Sequence, residues 1–373
     1  MPPSTIPIHH GWLVSPYSAK TRSYLQFSGL RFTDNAPSAV ALYRTIQPAV
    51  GRMIMPTVQL PDGRWLQDSS VIIDHFEDRE DTPTIIPDGP SQQVASALIE
   101  VFADEWLPMA ALHYRWNTPE NKAFALREFA ASGLPWLPRA LGRPLVRPMA
   151  DRLQGYLPLL GVTDQTHPAV EETVQIVLRC LEAQLTETPY LLGGRPCTGD
   201  FALFGPLWAH LYRDPGSRHL FENHPSVVHW MERMRTAPEV QSDFLKADTV
   251  PDNLSPLFEC ILQDQWAWIR TLEAAIHSYC EAHPEAHRVP RSLGDADFTI
   301  RGLQGTRKLV TFVQWKAQRA TDAYTRAKGE ADPWLRTVLG HEADADVSEQ
   351  ITPIRHPMVM EGFKPALKAA VRD

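Results

Sequence analysis

Three short groups in the first eighty residues carry side chains or backbone suited to holding a small ionic ligand. The first is Ser15, in Ser15-Pro16-Tyr17-Ser18-Ala19-Lys20-Thr21-Arg22, set between the apolar run Trp12-Leu13-Val14 and the helix-like Ser23-Tyr24-Leu25. A strand that breaks at Ser-Pro and reopens as a helix leaves Ser15 at a helix N-terminus. There, free N–H groups and the positive end of the helix dipole stabilise a thiolate or a carboxylate. The second group is Met55-Pro56. A proline where a strand should begin is tolerated at an edge or as a cis peptide, and a cis bond turns the Met55 N–H and C=O towards a peptide-like ligand. The third is Asp68-Ser69, ahead of Val71, Ile72, Ile73, His75 and Phe76 at helical spacing, which marks a second helix start. Ser69 either caps that helix or shares its N–H groups with a carboxylate, and Asp68 suits an amino group. A zwitterionic ligand end is the natural guest.

The elements that must position these groups follow from periodicity. A strand is expected at Trp12-Leu13-Val14 after the polar His9-His10, then a helix from Ala19 that Gly29 terminates as a C′ glycine, then a restart at Leu30-Arg31-Phe32. Together they form a β-α-β unit. Two apolar strands, Met53 to Leu60 and Arg64 to Leu66, flank Asp62-Gly63, a hairpin signal. From Ser91 to about Glu239 the apolar spacing becomes three-four, as in Val94-Leu98-Val101-Phe102 and Val170-Val174-Val177-Leu178-Leu181, and amphipathic helices are expected. Asp81 to Pro90, with three prolines, reads as a linker.

The order of these motifs resembles the thioredoxin-like domain of the cytosolic glutathione transferases, over residues 8–80. The resemblance implies that Ser15 takes the position of the catalytic Ser or Cys, that Met55-Pro56 is the residue pair at the cis-proline, and that Asp68-Ser69 is the pair holding the γ-glutamyl end of glutathione. Tyr17 joins the glutathione site, and whether Ser15 or Tyr17 contacts the sulfur stays open. A second landmark, Tyr190-Leu191-Leu192-Gly193-Gly194-Arg195-Pro196-Cys197-Thr198-Gly199-Asp200-Phe201, resembles the family's glycine turn and capping box. Cys197 stands there where Ser or Thr is usual. Cysteine caps poorly, so Thr198 or Asp200 is expected to do the work and the start of that helix is open.

The fold implied is an α/β thioredoxin-like domain over 1–82, an all-helical glutathione transferase C-terminal domain over 83–247, and a mainly helical extension with a short strand pair over 248–373. In the helical domain, Trp106, His113, Tyr114 and Trp116 are candidates for stacking on an aromatic electrophile, with Arg115 meeting a carboxylate or oxyanion. The competing expectation is that the aromatics are core and Arg115 pairs with an acid such as Asp104 or Glu105. In the extension, Phe258, Ile261, Leu262, Trp266, Ile269, Leu272 and Ile276 trace one long helical face. Phe298-Thr299-Ile300 begins a strand pair with Gly302 and Gly305 in its turn, and a helix runs from about Leu309 to Ala327. The last thirty residues look weakly ordered. Packing on the helical domain, narrowing the pocket and forming a subunit contact are all open roles for this part.

Composition bounds the alternatives. The chain has 373 residues, a net charge of -8, 43% hydrophobic and 21% charged residues, which suits two or three folded domains and argues against nucleic-acid or anionic-membrane partners. Arg139, Arg143, Arg147 and Arg152 are expected on a solvated surface. The four cysteines lack a CxxC pair, and neither Ser15 nor Ser18 is cysteine, so disulfide exchange has no nucleophile. No metal is expected: His283, Glu285 and His287 are close, but Pro284 and the polar loop argue against a site. No signal segment or long apolar run appears, and the expected location is cytoplasmic. The leading function, implied by the resemblance, is a transferase: Ser15 stabilises the glutathione thiolate, which attacks a hydrophobic electrophile in detoxification, with a homodimer implied by the same resemblance. The alternatives are a non-catalytic binding or scaffold module, and a glutathione-dependent isomerase, dehalogenase or ether-cleaving enzyme.

Overall fold

The computed structural model describes residues 5–79, 83–340, 351 and 353–371. Residues 81 and 82 of the expected linker lie outside them. Four short strands, β1 (Ile8–His10), β2 (Thr33–Asn35), β3 (Thr57–Gln59) and β4 (Trp65–Gln67), form one sheet in the order β2-β1-β3-β4. β1 runs parallel to β2, and both β1/β3 and β3/β4 are antiparallel. Helices Pro16–Phe27 and Ser69–Glu77 complete the thioredoxin-like unit.

The first strand lies upstream of the expected Trp12-Leu13-Val14, and the second lies just beyond Leu30-Arg31-Phe32. The polar look of His9-His10 misdirects the reading, because both imidazoles are buried and find side-chain partners inside the fold. His9 meets Asp34 and Thr21, each at 2.8 Å, and His10 meets Asn35 at 2.9 Å and stacks on Trp65. Burial pushes both histidines down, His10 to about 4, and so favours the neutral form of each ring. Trp12 to Val14 instead make the turn into the first helix, where the Ser15 N–H donates to the Trp12 carbonyl. Gly29, at φ 67°, follows that helix as expected.

Seven α-helices of nine residues or more, from Pro90–Glu105 to Pro225–Arg235, follow. The helix with the Cys197 start begins at Thr198. Asp200 fixes it: its carboxylate accepts from the N–H groups of Cys197 and Leu191 and from the Trp230 indole. Burial pushes this carboxyl up to about 6.

Beyond residue 247, the expected long face is an unbroken helical run through Ser255–Cys260, Ile261–Gln265 and Trp266–Ala282. A hairpin of β5 (Ser292–Ile300) and β6 (Leu303–Val310) follows, longer than expected and turned at Arg301-Gly302, both at positive φ. The Phe312–Ala327 helix then packs against Pro90–Glu105. Residues 341–350, part of the stretch expected to be weakly ordered, lie outside the described residues. The described end departs from that expectation, since β7 (Met358–Glu361) and β8 (Lys364–Leu367) pair as a hairpin. Among the described residues no helix is long and apolar enough to cross a membrane.

Candidate active site

A cavity of about 620 Å³ lies between the thioredoxin-like unit and the C-terminal extension. Its inner wall carries Tyr17, Met55, Pro56, Asp68 and Ser69, and its outer wall is built from Arg288, Val310, Phe312, Lys316, Phe363 and Pro365. The Met55–Pro56 bond is cis, the second of the two arrangements that a proline at the strand start allows, and the strand it leads into lies inside the sheet. Asp68, not Ser69, is the cap of its helix, its carboxylate accepting from the N–H groups of Ser70 at 2.9 Å and Val71 at 3.4 Å. Asp68 holds this position at φ 83°, a backbone conformation that costs energy outside glycine and clusters at ligand sites. Ser69 becomes the first helical residue, whose N–H has no intrahelical partner.

Ser15 caps the first helix, its hydroxyl accepting from the Ser18 N–H at 3.2 Å. It is half-buried and stands off the cavity wall, two residues before Tyr17. The Tyr17 hydroxyl donates to the Asp104 carbonyl at 2.7 Å. Burial, with Glu105, Asp104 and Asp68 nearby, holds that phenol far above its ordinary value. Tyr17 has therefore committed its one proton to the backbone, whereas the Ser15 proton is not used by its capping bond.

Behind the inner wall runs a buried ionic network in which the extension takes part. The ammonium groups of Lys20 and Lys316 both lie 2.8 Å from Asp104 Oδ2, and Lys316 also donates to Ser70 Oγ at 2.6 Å and reaches Asp68 at 3.5 Å. Lys20 adds Glu100 at 2.8 Å. Arg319 bridges Glu100 at 2.7 Å to Asp74 at 2.6 Å and 2.8 Å. Burial opposes charge on Glu100, but Arg319, Lys20 and Lys316 outweigh it and hold its carboxyl well below the usual range. Lys316 is raised in the same way, burial being outweighed by Asp104, Asp68 and Glu100. Glu105, which lines the cavity, goes the other way: burial and the charges of Asp104 and Asp68 push it up to about 8, against the pull of Lys316.

The residues expected to receive an electrophile are not gathered on this cavity. Trp106 is buried, edge-on to Phe298 and covered by the Arg307 guanidinium at 4.7 Å. Arg115, 2% exposed, pairs with Asp214 through two bonds of 2.7 Å and also donates to the carbonyls of Val14 and Ala209. Its partner is thus neither Asp104 nor Glu105, which face the other way into the network and the cavity. His113, Tyr114 and Trp116 border a separate polar depression with Glu171 and His167, although most of Trp116 is core. The His113 ring lies between Glu171 and Asn117, each at 3.0 Å.

Sequence reasoning missed Lys316, Glu105 and Arg288 at the cavity. Glu105 had a signal, as the last residue of an amphipathic helix beside Asp104. Lys316 had none, because its partners lie 246 and 248 residues away.

Comparisons with known proteins place these elements. Residues 10–84 match the family model described as glutathione S-transferase, N-terminal domain, and residues 154–247 match glutathione S-transferase, C-terminal domain. No curated protein matches the chain. Among solved structures, the chain is similar to the beta-etherase LigF from Sphingobium sp. strain SYK-6, at 16% identity and a TM-score of 0.45, covering 63% of this chain and 96% of that one. It is also similar to FzlA from C. crescentus, at 16% identity and 0.41, covering 66% and 97%. A glutathione S-transferase from Methylobacterium radiotolerans JCM 2831, in complex with glutathione sulfonate, aligns at 18% identity and 0.40, covering 66% and 98%. With both family domains matched, in order, the chain belongs to the glutathione S-transferase family.

Proposed function

We propose that the cavity holds glutathione and that the chain is a glutathione transferase. The observation that carries this is the inner wall itself, where the cis Met55–Pro56 bond, Asp68 and the open N–H of Ser69 stand together beside Tyr17. The Met55 backbone pairs with the cysteinyl peptide unit, as an added strand would. The γ-glutamyl carboxylate lies at the start of the Ser69–Glu77 helix, favoured by its dipole and by the Ser69 hydroxyl. The sulfur leaves the cavity towards the start of the first helix.

There the Ser15 hydroxyl donates a hydrogen bond to the sulfur, favouring thiolate over thiol, and the helix N-terminus adds to the effect. The thiol proton passes to solvent. The thiolate electron pair forms a carbon–sulfur bond as the electrophile's leaving group departs with its own pair, or as an activated double bond takes up charge and then a proton. Tyr17 serves as wall and not as donor, because its proton is already bonded. The electrophile takes the apolar part of the outer wall, around Val289, Val310, Phe312 and Phe363, in place of the buried Trp106 to Trp116 set. The division at residues 82 and 247, a homodimer, and detoxification in the cytoplasm belong to the same proposal.

Titration calorimetry with glutathione, followed by a conjugation assay with 1-chloro-2,4-dinitrobenzene, tests it. Binding that Ser69→Ala weakens, with thioether formation that Ser15→Ala slows, is the expected pair of results. A protein that takes up no glutathione removes the reading.

A further inference from the structure

Within the extension, two elements distant in sequence bring three metal-ligating side chains together. His277 and Glu281 lie one turn apart on the Trp266–Ala282 helix, so their side chains project from one face. His356 arrives from the segment that leads into β7. Its Nε2 lies 2.9 Å from His277 Nδ1, with the two rings stacked at 5.2 Å between centroids. One ligand atom from each of His277, Glu281 and His356 falls within 4.8 Å of the other two. We infer that these three residues bind one divalent transition-metal ion of the zinc class.

The donor set selects the metal. Two imidazoles and one carboxylate suit a borderline ion such as Zn²⁺, and two nitrogens are poor partners for Ca²⁺ or Mg²⁺. With bonds of about 2.0–2.2 Å, three such ligands leave a fourth tetrahedral position for water. The nitrogens now share a proton across 2.9 Å, and the ion would take the place of that shared proton with a small opening of the pair. The surroundings already hold both sides in register. One turn earlier on the same helix face, Glu273 accepts from the Arg355 N–H. From the other side, the Gln314 amide donates to the His356 carbonyl at 2.8 Å, and Gln318 brackets Met358 with bonds of 2.6 Å and 2.9 Å.

The position gives the site a consequence for the cavity. Met358 follows His356 by two residues, and Met358 and Phe363 to Ala366 form part of the outer wall. An ion on His356 ties that wall to a helix that does not itself reach the cavity. The inference does not depend on what the cavity binds, since it concerns metal alone.

The test uses the full-length chain without an affinity tag, titrated with Zn²⁺ against a chromophoric chelator and with Co²⁺ followed by visible absorption. One ion per chain is expected, with a Co²⁺ spectrum of nitrogen-oxygen ligation. His277→Ala and His356→Ala should each weaken binding about 100-fold or more, beyond what loss of an outer-shell partner costs, with Glu281→Gln weakening it less. Zn²⁺ should also slow protease cleavage between residues 353 and 367 in the wild type and not in the variants. Circular dichroism of the metal-free variants checks folding, and His277→Gln or His356→Gln, closer in size, replaces the alanine variant at the same position if it fails. Wild-type protein that binds no stoichiometric ion overturns the inference without any variant. Binding that survives in the His277→Ala/His356→Ala double variant overturns it equally, because the ligands then lie elsewhere.

Discussion

The Lys316 ammonium stands 2.8 Å from the Asp104 carboxylate, and both side chains are 2% exposed. Asp104 belongs to the first long helix of the middle domain, whereas Lys316 belongs to the extension. Removing the cation leaves acids buried with fewer partners. Lys20 still serves Asp104, so the loss should fall at the lower end for a broken buried pair, about 3 kcal/mol for Lys316→Met. Urea unfolding measures it, and an unchanged midpoint would mean that the extension adds nothing to the stability of this seam.

Ser15→Ala removes two things at once. The cap on the first helix is lost, at about 1 kcal/mol of stability. If the hydroxyl lowers the pKa of the bound thiol by one unit, its removal raises that pKa by the same amount and costs about 1.4 kcal/mol, or tenfold in thiolate at neutral pH. Ultraviolet titration of bound glutathione reads the pKa directly. Turnover that falls without a pKa change would assign Ser15 to structure alone.

Arg115→Met should cost about 3–5 kcal/mol, since Asp214 then remains as an uncompensated buried charge. Because Arg115 lies off the cavity, the glutathione dissociation constant of the folded variant should stay within about twofold, well inside 1.4 kcal/mol. A larger loss of affinity at full folding would bring Arg115 back to the site.

Glu105 predicts a pH dependence with a definite sign. Its folded value of about 8 lies above the ordinary 4.5, so between these values the unfolded chain ionises while the folded chain keeps its proton. Stability from this group therefore falls as pH rises from about 4.5 to 8. Denaturant curves at pH 5 and pH 8 should differ less in Glu105→Gln than in the wild type. An equal difference in the two proteins would show that Glu105 ionises freely in the fold.

What could be read in the sequence was what is local. Pro56 at a strand start, Asp62-Gly63 in a hairpin and Asp68 before an apolar helix each act on backbone within a few residues, and each carries its own stereochemistry. The expected Trp12-Leu13-Val14 strand failed for a different reason. His9 and His10 look solvent-loving until Asp34 and Thr21 are seen against the first ring and Asn35 against the second. The candidate electrophile residues illustrate the limit of composition: Trp106 and Arg115 have the chemistry of a binding site, yet their neighbours Arg307 and Asp214 turn them into packing. The outer wall was out of reach altogether. No periodicity announces that a lysine on the Phe312–Ala327 helix will meet a serine 246 positions earlier.

The approach of Lys316 to Asp68 changes what the inner wall can discriminate. A lone carboxylate at that corner would reward an incoming amine. Here the chain supplies its own ammonium, 3.5 Å from Asp68 Oδ1, so an amine arrives second at a carboxylate whose charge is already partly offset. A tripeptide thiol stripped of its amino group should consequently lose little on this surface, while one stripped of its γ-glutamyl carboxylate should lose much. Recognition would then be written mainly in negative charge, through a cation lent by the end of the chain.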